Sequence, residues 1–246
     1  VRDIVTINTE LALADLETVT AKLAKTEKLV KQGVKDAIQE YELLKRISEF
    51  LNDGKPARLA INNEEEQKLA NGYFLLTTKP VIYACNISEN DISKNEDDIA
   101  YVRAVKEYAK KEGSAVLVIC AKIEQELSEL EDDEKQMFLD DLGLKTSGLE
   151  KIIKLGYETL GQISYLTAGE KEVRAWTILK GTKAPGAAGK IHSDFEKGFI
   201  RAEVVSYDNL VKYGGYNQAK EAGKVRSEGK DYVVQDGDVM LFKFNV

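Results

Sequence analysis

Two continuous apolar runs separated by one amphipathic helix constrain the fold of this chain most strongly. The first run occupies residues 80–85 and the second occupies residues 115–120. Continuous apolar residues, rather than alternating ones, are typical of strands that are buried on both faces. Between the runs, residues 98–112 carry apolar side chains at helical spacing, and Gly113 predicts the end of that helix. The order strand, helix, strand predicts two parallel strands joined by a crossover helix.

Polar residues follow both predicted strands. Asn86 and Glu89 follow the first strand, and residues 121–124 are predicted as a polar loop after the second. The carboxyl ends of parallel strands lie at one edge of a sheet, where ligands bind in open α/β folds. An Asn amide offers a donor and an acceptor to the N6/N7 edge of adenine, and an ionised carboxylate accepts from an amino group. This edge is therefore predicted to hold a nucleotide base. In the alternative, Asn86 only closes the turn and Glu89 is solvated.

The first 72 residues are predicted to be helical. Residues 3–50 carry a stripe of apolar side chains at spacings of three, four and seven, which predicts one long helix interrupted at Gly33. Residues 52–56 (Asn-Asp-Gly-Lys-Pro) predict a break, and a second helix is predicted from its cap at Asn63 to Gly72. We interpret the pair as an antiparallel helical arm. The alternative is a two-helix piece of an ordinary core.

The last third of the chain changes character. After an acidic helix at about 125–139 and another at about 147–160, short strands alternate with short helices from residue 164 to residue 246. The Asp-Gly-Asp at residues 236–238 predicts a hairpin between strands at 232–234 and 239–242. This arrangement predicts a small α+β domain, with a β-grasp as the commonest candidate.

Charge and composition narrow the function classes. The formal net charge is −7, but residues 164–246 have 13 Lys/Arg against 11 Asp/Glu, or +2, and the remainder is −9. The basic balance of the C-terminal part therefore favours a polyanionic partner. No apolar run approaches the ~20 residues of a membrane helix, which predicts no membrane partner. The two cysteines end apolar runs and predict a reduced, cytoplasmic protein, and a single His without a Cys/His cluster argues against a zinc site.

Several stretches resemble one known family. Residues 86–89 (Asn-Ile-Ser-Glu) resemble the altered base-recognition motif of the YchF subfamily of Obg-like ATPases, in which Glu replaces the Asp that ordinary GTPases of this superclass pair with guanine. The longest match, residues 187–200, resembles the TGS domain of that family, a ubiquitin-like β-grasp module. Further matches lie at residues 1–4, 10–17, 78–80 and 121–124. The resemblance covers essentially the whole chain in the family's order.

The resemblance implies a multidomain α/β and α+β fold. Residues 1–15 would end the first part of a P-loop NTPase domain with a parallel sheet, residues 16–72 would form an inserted coiled-coil arm, residues 73–163 would continue the P-loop domain, and residues 164–246 would form the TGS domain. It also implies ATP as the ligand, Mg²⁺ in the intact protein, and the ribosome or RNA as partner. DNA is not predicted as a partner.

One departure from the family bears directly on activity. The pattern Gly-x-x-x-x-Gly-Lys-Ser/Thr occurs nowhere in the 246 residues. Without that loop nothing cradles phosphates or Mg²⁺. We therefore expect a fragment, lacking the N-terminal P-loop portion, of a protein that hydrolyses ATP, and we expect the fragment to be inactive, with no catalytic and no metal-binding residue. The alternative is a non-catalytic module that binds RNA or another protein.

The candidate site residues fall into two groups. The resemblance implies base contacts from Asn86, Ile87, Glu89 and Ala121, with Ile87 on the purine face and the Ala121 N–H donating to the base. The alternatives are that Ile87 faces the core and anchors the loop, and that Lys122 and Glu124 form a solvated helix start. Basic residues of the C-terminal part are candidate RNA contacts, or else an ordinary solvated face; they are Lys180, Lys183, Lys190, Lys197 and Arg201.

Overall fold

The computed structural model describes residues 1–169 and 172–245, and the chain divides between Leu155 and Gly156 into two compact units. The helices of unit 1 are α1 (Arg2–Lys31), α2 (Asp36–Asn52), α3 (Glu64–Asn71), α4 (Ala100–Glu112), α5 (Ala121–Ser128) and α6 (Asp132–Asp141), and α7 (Gly148–Thr159) crosses the boundary. The strands of unit 1 are β1 (Ile82–Asn86) and β2 (Ala115–Ile119). Each unit is described separately below.

The first two helices form a hairpin that turns at Gly33, and the expectation of one helix over residues 3–50 was wrong. Gly33 adopts the left-handed conformation at φ 82°, its N–H donates to the Val30 carbonyl, and the Val34 N–H donates to the Leu29 carbonyl. This pair of bonds is the Schellman motif that ends helices at glycine. α1 and α2 then pack against each other. The apolar stripe runs through the turn without a gap, which is why periodicity alone did not reveal the break.

The base of the hairpin, where α3 and the segment after it meet α1 and α2, holds the first hydrophobic core. Its buried residues include Val19, Leu44 and Ile47. A buried carboxylate fastens the following chain here: Asp15 accepts from the Leu76 N–H at 2.8 Å and the Thr77 N–H at 2.7 Å. These bonds fix the direction in which the chain enters β1.

The strand–helix–strand unit forms as predicted, with β1 and β2 parallel and α4 between them in sequence. The register runs from Ile82 opposite Ala115 to Asn86 opposite Ile119, so both strands end at the same level. Gly113 at φ 67° ends α4. The buried residues of this second core are Cys85, Ile87, Ile99, Val102, Val118, Cys120, Ile123, Leu127 and Leu139.

The segment after β2 is helical from its first residue, and the prediction of a polar loop at 121–124 was wrong. These residues form the first turn of α5, and the predicted acidic helix is split into α5 and α6. Glu131 divides them because it is the N-cap of α6, in a reciprocal capping box with Glu134. Ile123 and Leu127 face the core from α5, which makes a helix more favourable than a loop here.

A polar network lies at the amino end of the β1–β2 pair. The Asn8 amide donates to the hydroxyls of Tyr83 and Tyr108, and the Tyr83 hydroxyl donates to Glu112 at 3.0 Å. Arg58 completes the network with a 2.8 Å ion pair to Glu112. The network therefore joins α1, β1, α4 and the segment after α2.

Unit 2 contains one mixed five-stranded sheet in the order β4-β3-β7-β5-β6. Its strands are β3 (Gln162–Ala168), β4 (Val173–Leu179), β5 (Phe199–Ser206), β6 (Arg226–Glu228) and β7 (Asp238–Phe244), and its helices are α8 (Ala184–Ile191), α9 (Ser193–Lys197), α10 (Tyr207–Tyr213) and α11 (Tyr216–Glu221). Within this sheet, only the β3–β7 pair is parallel among the paired strands described. α8 packs on one face through Ala184, Ala187 and Ala188 against Tyr165 and Met240.

The predicted hairpin around residues 236–238 does not form. β7 pairs with β3 and β5, whereas Val233 makes an isolated bridge to Lys183. Gly237, at φ 76°, does provide the turn that the sequence indicated. Its N–H donates to the Ser164 carbonyl, so the turn is held against β3 and directs β7 into the middle of the sheet. Local turn chemistry identified the turn but not the partner strand.

Candidate functional site

The carboxyl ends of β1 and β2 are tied together by Asn86. Asn86 is the last residue of β1, and its side-chain Oδ1 accepts from the Ala121 N–H at 2.9 Å. The Tyr101 hydroxyl donates to the Asn86 carbonyl at 3.2 Å. Asn86 is thus fixed from both sides while remaining exposed. The Ala121 N–H, a candidate donor to the base, is engaged by Asn86 in this conformation.

Glu89 lies in the turn after β1 and pairs with the first turn of α5. Its Oε2 is 2.7 Å from the Lys122 ammonium, and this hydrogen bond raises the pKa of Lys122 above the ordinary lysine value. Both side chains are exposed, at 42% for Glu89 and 64% for Lys122. The sequence alone suggested only a solvated side chain for Lys122. Its positive charge directly after β2, opposite the negative charge of Glu89 after β1, is the signal that would have indicated the pairing.

Ile87 faces the core and anchors the loop, which was the alternative to a contact with the purine face. It is 8% exposed, packs in the second core, and its N–H donates to the Ile119 carbonyl at 2.8 Å. This bond continues the β1–β2 pairing one residue past Asn86. The side chain therefore holds the loop in place, and the surface around Asn86 and Glu89 is formed by polar groups.

Glu124 has a defined structural task that sequence reasoning missed. Its carboxylate accepts from the Gly148 N–H at 2.6 Å and the Leu149 N–H at 3.0 Å, at the start of α7. A Cβ at Gly148 would lie 2.7 Å from Glu124 Oε1 and 2.8 Å from the Ile119 side chain, so only glycine fits. Carboxylates bind favourably at helix N-termini. Glu124 thereby ties the start of α7 to the first turn of α5, which carries Lys122.

The segment from Asn86 to Glu89 leaves one donor and one acceptor open. Among the described residues, nothing accepts from Asn86 Nδ2 and nothing donates to Glu89 Oε1. A free amide N–H and a free carboxylate oxygen match the N7 acceptor and the N6 amino group of adenine. The residues present thus fit a purine base, but they include nothing comparable for phosphates. Across residues 1–169 and 172–245, no group of three or more His, Cys, Asp or Glu is arranged to hold a metal ion.

The C-terminal basic residues are all exposed, but they are not equivalent. Lys183 caps the entry to α8 and pairs with Asp231 at 2.8 Å. Arg201 lies on β5 beside Glu203, on the sheet face opposite Ala202, which packs against α8. Lys190 is on α8 and Lys197 is on α9. The structure therefore does not gather the five side chains on one surface.

Comparisons with known proteins identify relatives over nearly the whole chain. A "Ribosome-binding ATPase YchF" of Bacillus subtilis is 55% identical over 247 residues, which cover 99% of this chain and 66% of that protein. A protein of the same name from Haemophilus ducreyi is 49% identical over 244 residues, again 99% of this chain and 66% of the relative. The chain thus spans 66% of the length of these curated relatives.

A solved structure and a family model also match this chain. The "Structure of the Schizosaccharomyces pombe YchF GTPase" superposes with a TM-score of 0.83 at 35% identity, covering 98% of this chain and 65% of that one. The family model YchF-GTPase_C, described as "Protein of unknown function (DUF933)", matches residues 162–245. The mixed α/β fold with a parallel strand pair is therefore shared with a solved relative. Within the residues described, no helix is both long enough and apolar enough to span a bilayer.

Proposed function

This chain belongs to the YchF family of Obg-like ATPases, and from that membership we propose that it is the C-terminal part of an ATP-binding, ATP-hydrolysing P-loop protein that binds the ribosome. We base the assignment of ATP and the ribosome on the names of the relatives, which read "Ribosome-binding ATPase". The relatives do not favour the alternative of a non-catalytic module that binds RNA or another protein.

One observation carries the nucleotide assignment. Asn86 at the end of β1 and Glu89 after it meet Ala121 and Lys122 after β2, through contacts of 2.9 Å and 2.7 Å, at the carboxyl ends of two parallel strands. This is the position at which open α/β sheets bind ligands. We assign the Asn86 amide and the Glu89 carboxylate to the adenine edge, with Ile87 anchoring the loop. Ala121 contributes its N–H to the base only if that donor is shared with, or released by, Asn86.

The phosphate half of such a site needs residues that this sequence does not contain. P-loop proteins hold phosphates with backbone N–H groups and the Lys of Gly-x-x-x-x-Gly-Lys-Ser/Thr, and they hold Mg²⁺ through that Ser/Thr and an acidic residue. That pattern is missing from the 246 residues. The chain therefore selects a base but does not hydrolyse ATP, and Mg²⁺ belongs to the intact protein. Mg²⁺-dependent ATP turnover by the purified chain, at a rate like that of the intact protein, would contradict this proposal.

The domain assignment follows the same family. The α1–α2 hairpin is the core of the coiled-coil arm assigned to residues 16–72, flanked by parts of the P-loop domain at residues 1–15 and 73–163. Residues 164–246 form a TGS domain of β-grasp type. Its support is the sheet order β4-β3-β7-β5-β6, with a hairpin of β3 and β4 leading into α8 and a parallel β3–β7 pair at the centre.

Ribosome binding gives the exposed cations of the C-terminal part a role. Lys180, Lys190 and Lys197 have no carboxylate within 4.0 Å in the described part of the chain. They are free to contact RNA phosphates. Lys183 and Arg201 are weaker candidates, because Lys183 is paired and Arg201 lies on the other sheet face.

Base selectivity tests the nucleotide assignment, since the bacterial relatives are named ATPases and the fission-yeast structure is titled a GTPase. We expect Asn86→Ala and Glu89→Asp in the intact protein to lower the preference for ATP over GTP about tenfold, which corresponds to about 1.4 kcal/mol. Calorimetric titration with both nucleotides measures the preference. Glu126→Asp, an acidic substitution on α5, is the matched control. Unchanged selectivity in both site variants would reject the base assignment.

A further inference from the structure

The free end of the α1–α2 hairpin concentrates positive charge. We define the hairpin tip as residues 22–38, which include the end of α1, the turn at Gly33 and the start of α2. The tip contains five lysines against Glu27 and Asp36, or +3, in a chain whose net charge is −7. The lysines are Lys22, Lys25, Lys28, Lys31 and Lys35. The tip therefore differs in sign from most of the molecule.

Three of these lysines have no internal partner. The Lys22 ammonium lies 5.0 Å from the centre of the Tyr73 ring, and Lys31 pairs with Glu27 at 2.7 Å. Lys25, Lys28 and Lys35 are exposed, and no carboxylate of the described residues lies within 4.0 Å of them. Cations that the fold does not neutralise produce a local positive potential that attracts polyanions.

The tip contributes little to the first core. Thr26 and Ala37 are its buried residues and neither belongs to that core, against which Leu23 alone of the tip packs. Leu29, Val34 and Ile38 remain 42%, 44% and 51% exposed. Three half-exposed aliphatic side chains offer much less than the roughly 800 Å² per partner of a standard protein interface. The charge, rather than the apolar area, is thus the dominant feature.

We propose that the hairpin tip binds the phosphate backbone of ribosomal RNA through Lys25, Lys28 and Lys35. Lys25 and Lys28 are three residues apart, a rise of about 4.5 Å along the helix, so neighbouring ammonium groups suit successive phosphates. Residues 22–38 contain no aromatic side chain, so the tip has no platform on which unpaired bases would stack. The contact is therefore with phosphates. This inference rests on the proposed ribosome binding and adds a surface in unit 1 to the lysines assigned in the C-terminal part.

The experiment neutralises the three free lysines in the full 246-residue chain. The tip variant is Lys25→Gln, Lys28→Gln and Lys35→Gln, since glutamine preserves helix propensity. The matched control is Lys68→Gln, Lys110→Gln and Lys111→Gln, three exposed lysines that also lack a carboxylate within 4.0 Å among the described residues. Binding to purified bacterial ribosomes, and to protein-free RNA extracted from them, is measured over a series of salt concentrations.

We expect the tip variant to bind the extracted RNA at least tenfold more weakly than the control variant. Three lost phosphate contacts should also lower the slope of log affinity against log salt by about 2 to 3. The corresponding Lys→Arg tip variant should keep both affinity and slope. Circular dichroism of each variant verifies that the hairpin is still helical.

Three results would overturn the inference. The first is equal RNA binding by the tip and control variants, and the second is a failure of the unmodified chain to bind the RNA. The third is weaker binding of the tip variant to ribosomes with unchanged affinity for extracted RNA, which would assign the tip to a ribosomal protein. Failure of the intact protein to bind ribosomes at all would instead reject the proposed function.

Discussion

Two ion pairs of almost equal length lie at opposite ends of the β1–β2 pair. At the amino end, Arg58 and Glu112 are 2.8 Å apart, with side chains only 17% and 11% exposed. At the carboxyl end, Lys122 and Glu89 are 2.7 Å apart, with side chains 64% and 42% exposed. Distance alone would rank them as equals. Burial separates them, because water screens an exposed pair and leaves it with little net effect on stability.

The enclosed pair also has more hydrogen-bond partners than the exposed pair. Glu112 also accepts from the Tyr83 hydroxyl, and Asn8 donates to the same group of side chains, so its carboxylate is satisfied on several sides. Glu89 has one partner among the described residues and one open oxygen. The same two strands thus end in a closed network that joins helices and in an open pair that a ligand can enter. Enclosure thus assigns Glu112 to stability, whereas Glu89 remains available for the base contact proposed above.

Removing the enclosed carboxylate should have the largest effect. Glu112→Ala leaves the Arg58 guanidinium with little exposure and without its counter-charge, so we expect a loss of about 3 kcal/mol in the free energy of unfolding. Urea unfolding followed by far-UV circular dichroism measures the loss, while fluorescence of Trp176, the sole tryptophan, follows unit 2 separately. Glu107→Ala, on the exposed side of α4, is the control. A loss no larger than that of the control would place both ion pairs in the same energetic class.

The enclosed network around Glu112 could not be predicted from the sequence, whereas one of the two residues of the open pair, Glu89, could. Asn86 and Glu89 could be identified from the sequence because a buried strand precedes them and polar residues also follow the next strand. Lys122 was not identified, because its role depends on which helical face turns toward β1. Asn8, Arg58 and Glu112 are far apart in the chain, and no local pattern connects them. Burial of polar groups is decided by tertiary packing.

The helices and strands were likewise predicted well where the signals were local and poorly where distant contacts decided the outcome. The parallel pair and α4 were predicted closely because period and glycine position agree there. The turn at Gly33 was missed because the apolar period continues across it, and the partner of β7 was missed because hairpin chemistry describes neighbours in sequence only. The Asp236–Asp238 turn needed the Ser164 carbonyl, which lies far earlier in the chain. Local signals therefore located turns better than they located partners.

Alkaline pH should also destabilise the enclosed network, but it should lower the free energy of unfolding by less than Glu112→Ala does. Burial, and then the contact with Glu112, raises the pKa of Tyr83 above the ordinary tyrosine value of about 10. The unfolded chain then loses the phenolic proton at lower pH than the folded chain, so this contribution is complete below about pH 10 and declines as pH rises further. We expect Tyr83→Phe to reduce the loss of stability between pH 8 and pH 10.5, as measured by urea midpoints. A loss identical to that of the unmodified chain would show that Tyr83 is not enclosed.

The open pair should contribute least to stability. Glu89→Gln and Lys122→Gln are each expected to leave the urea midpoint of unfolding unchanged, because both side chains are exposed and water screens their attraction. In the intact protein, Glu89→Gln should still weaken selection of ATP over GTP, since the neutral amide is a poorer acceptor for an amino group than a carboxylate. Urea unfolding and nucleotide titration of the same variant measure the two effects. A stability loss near that of Glu112→Ala would mean that Glu89 supports the fold, whereas a small loss with altered selectivity would show that the carboxyl end of the strand pair is reserved for a ligand.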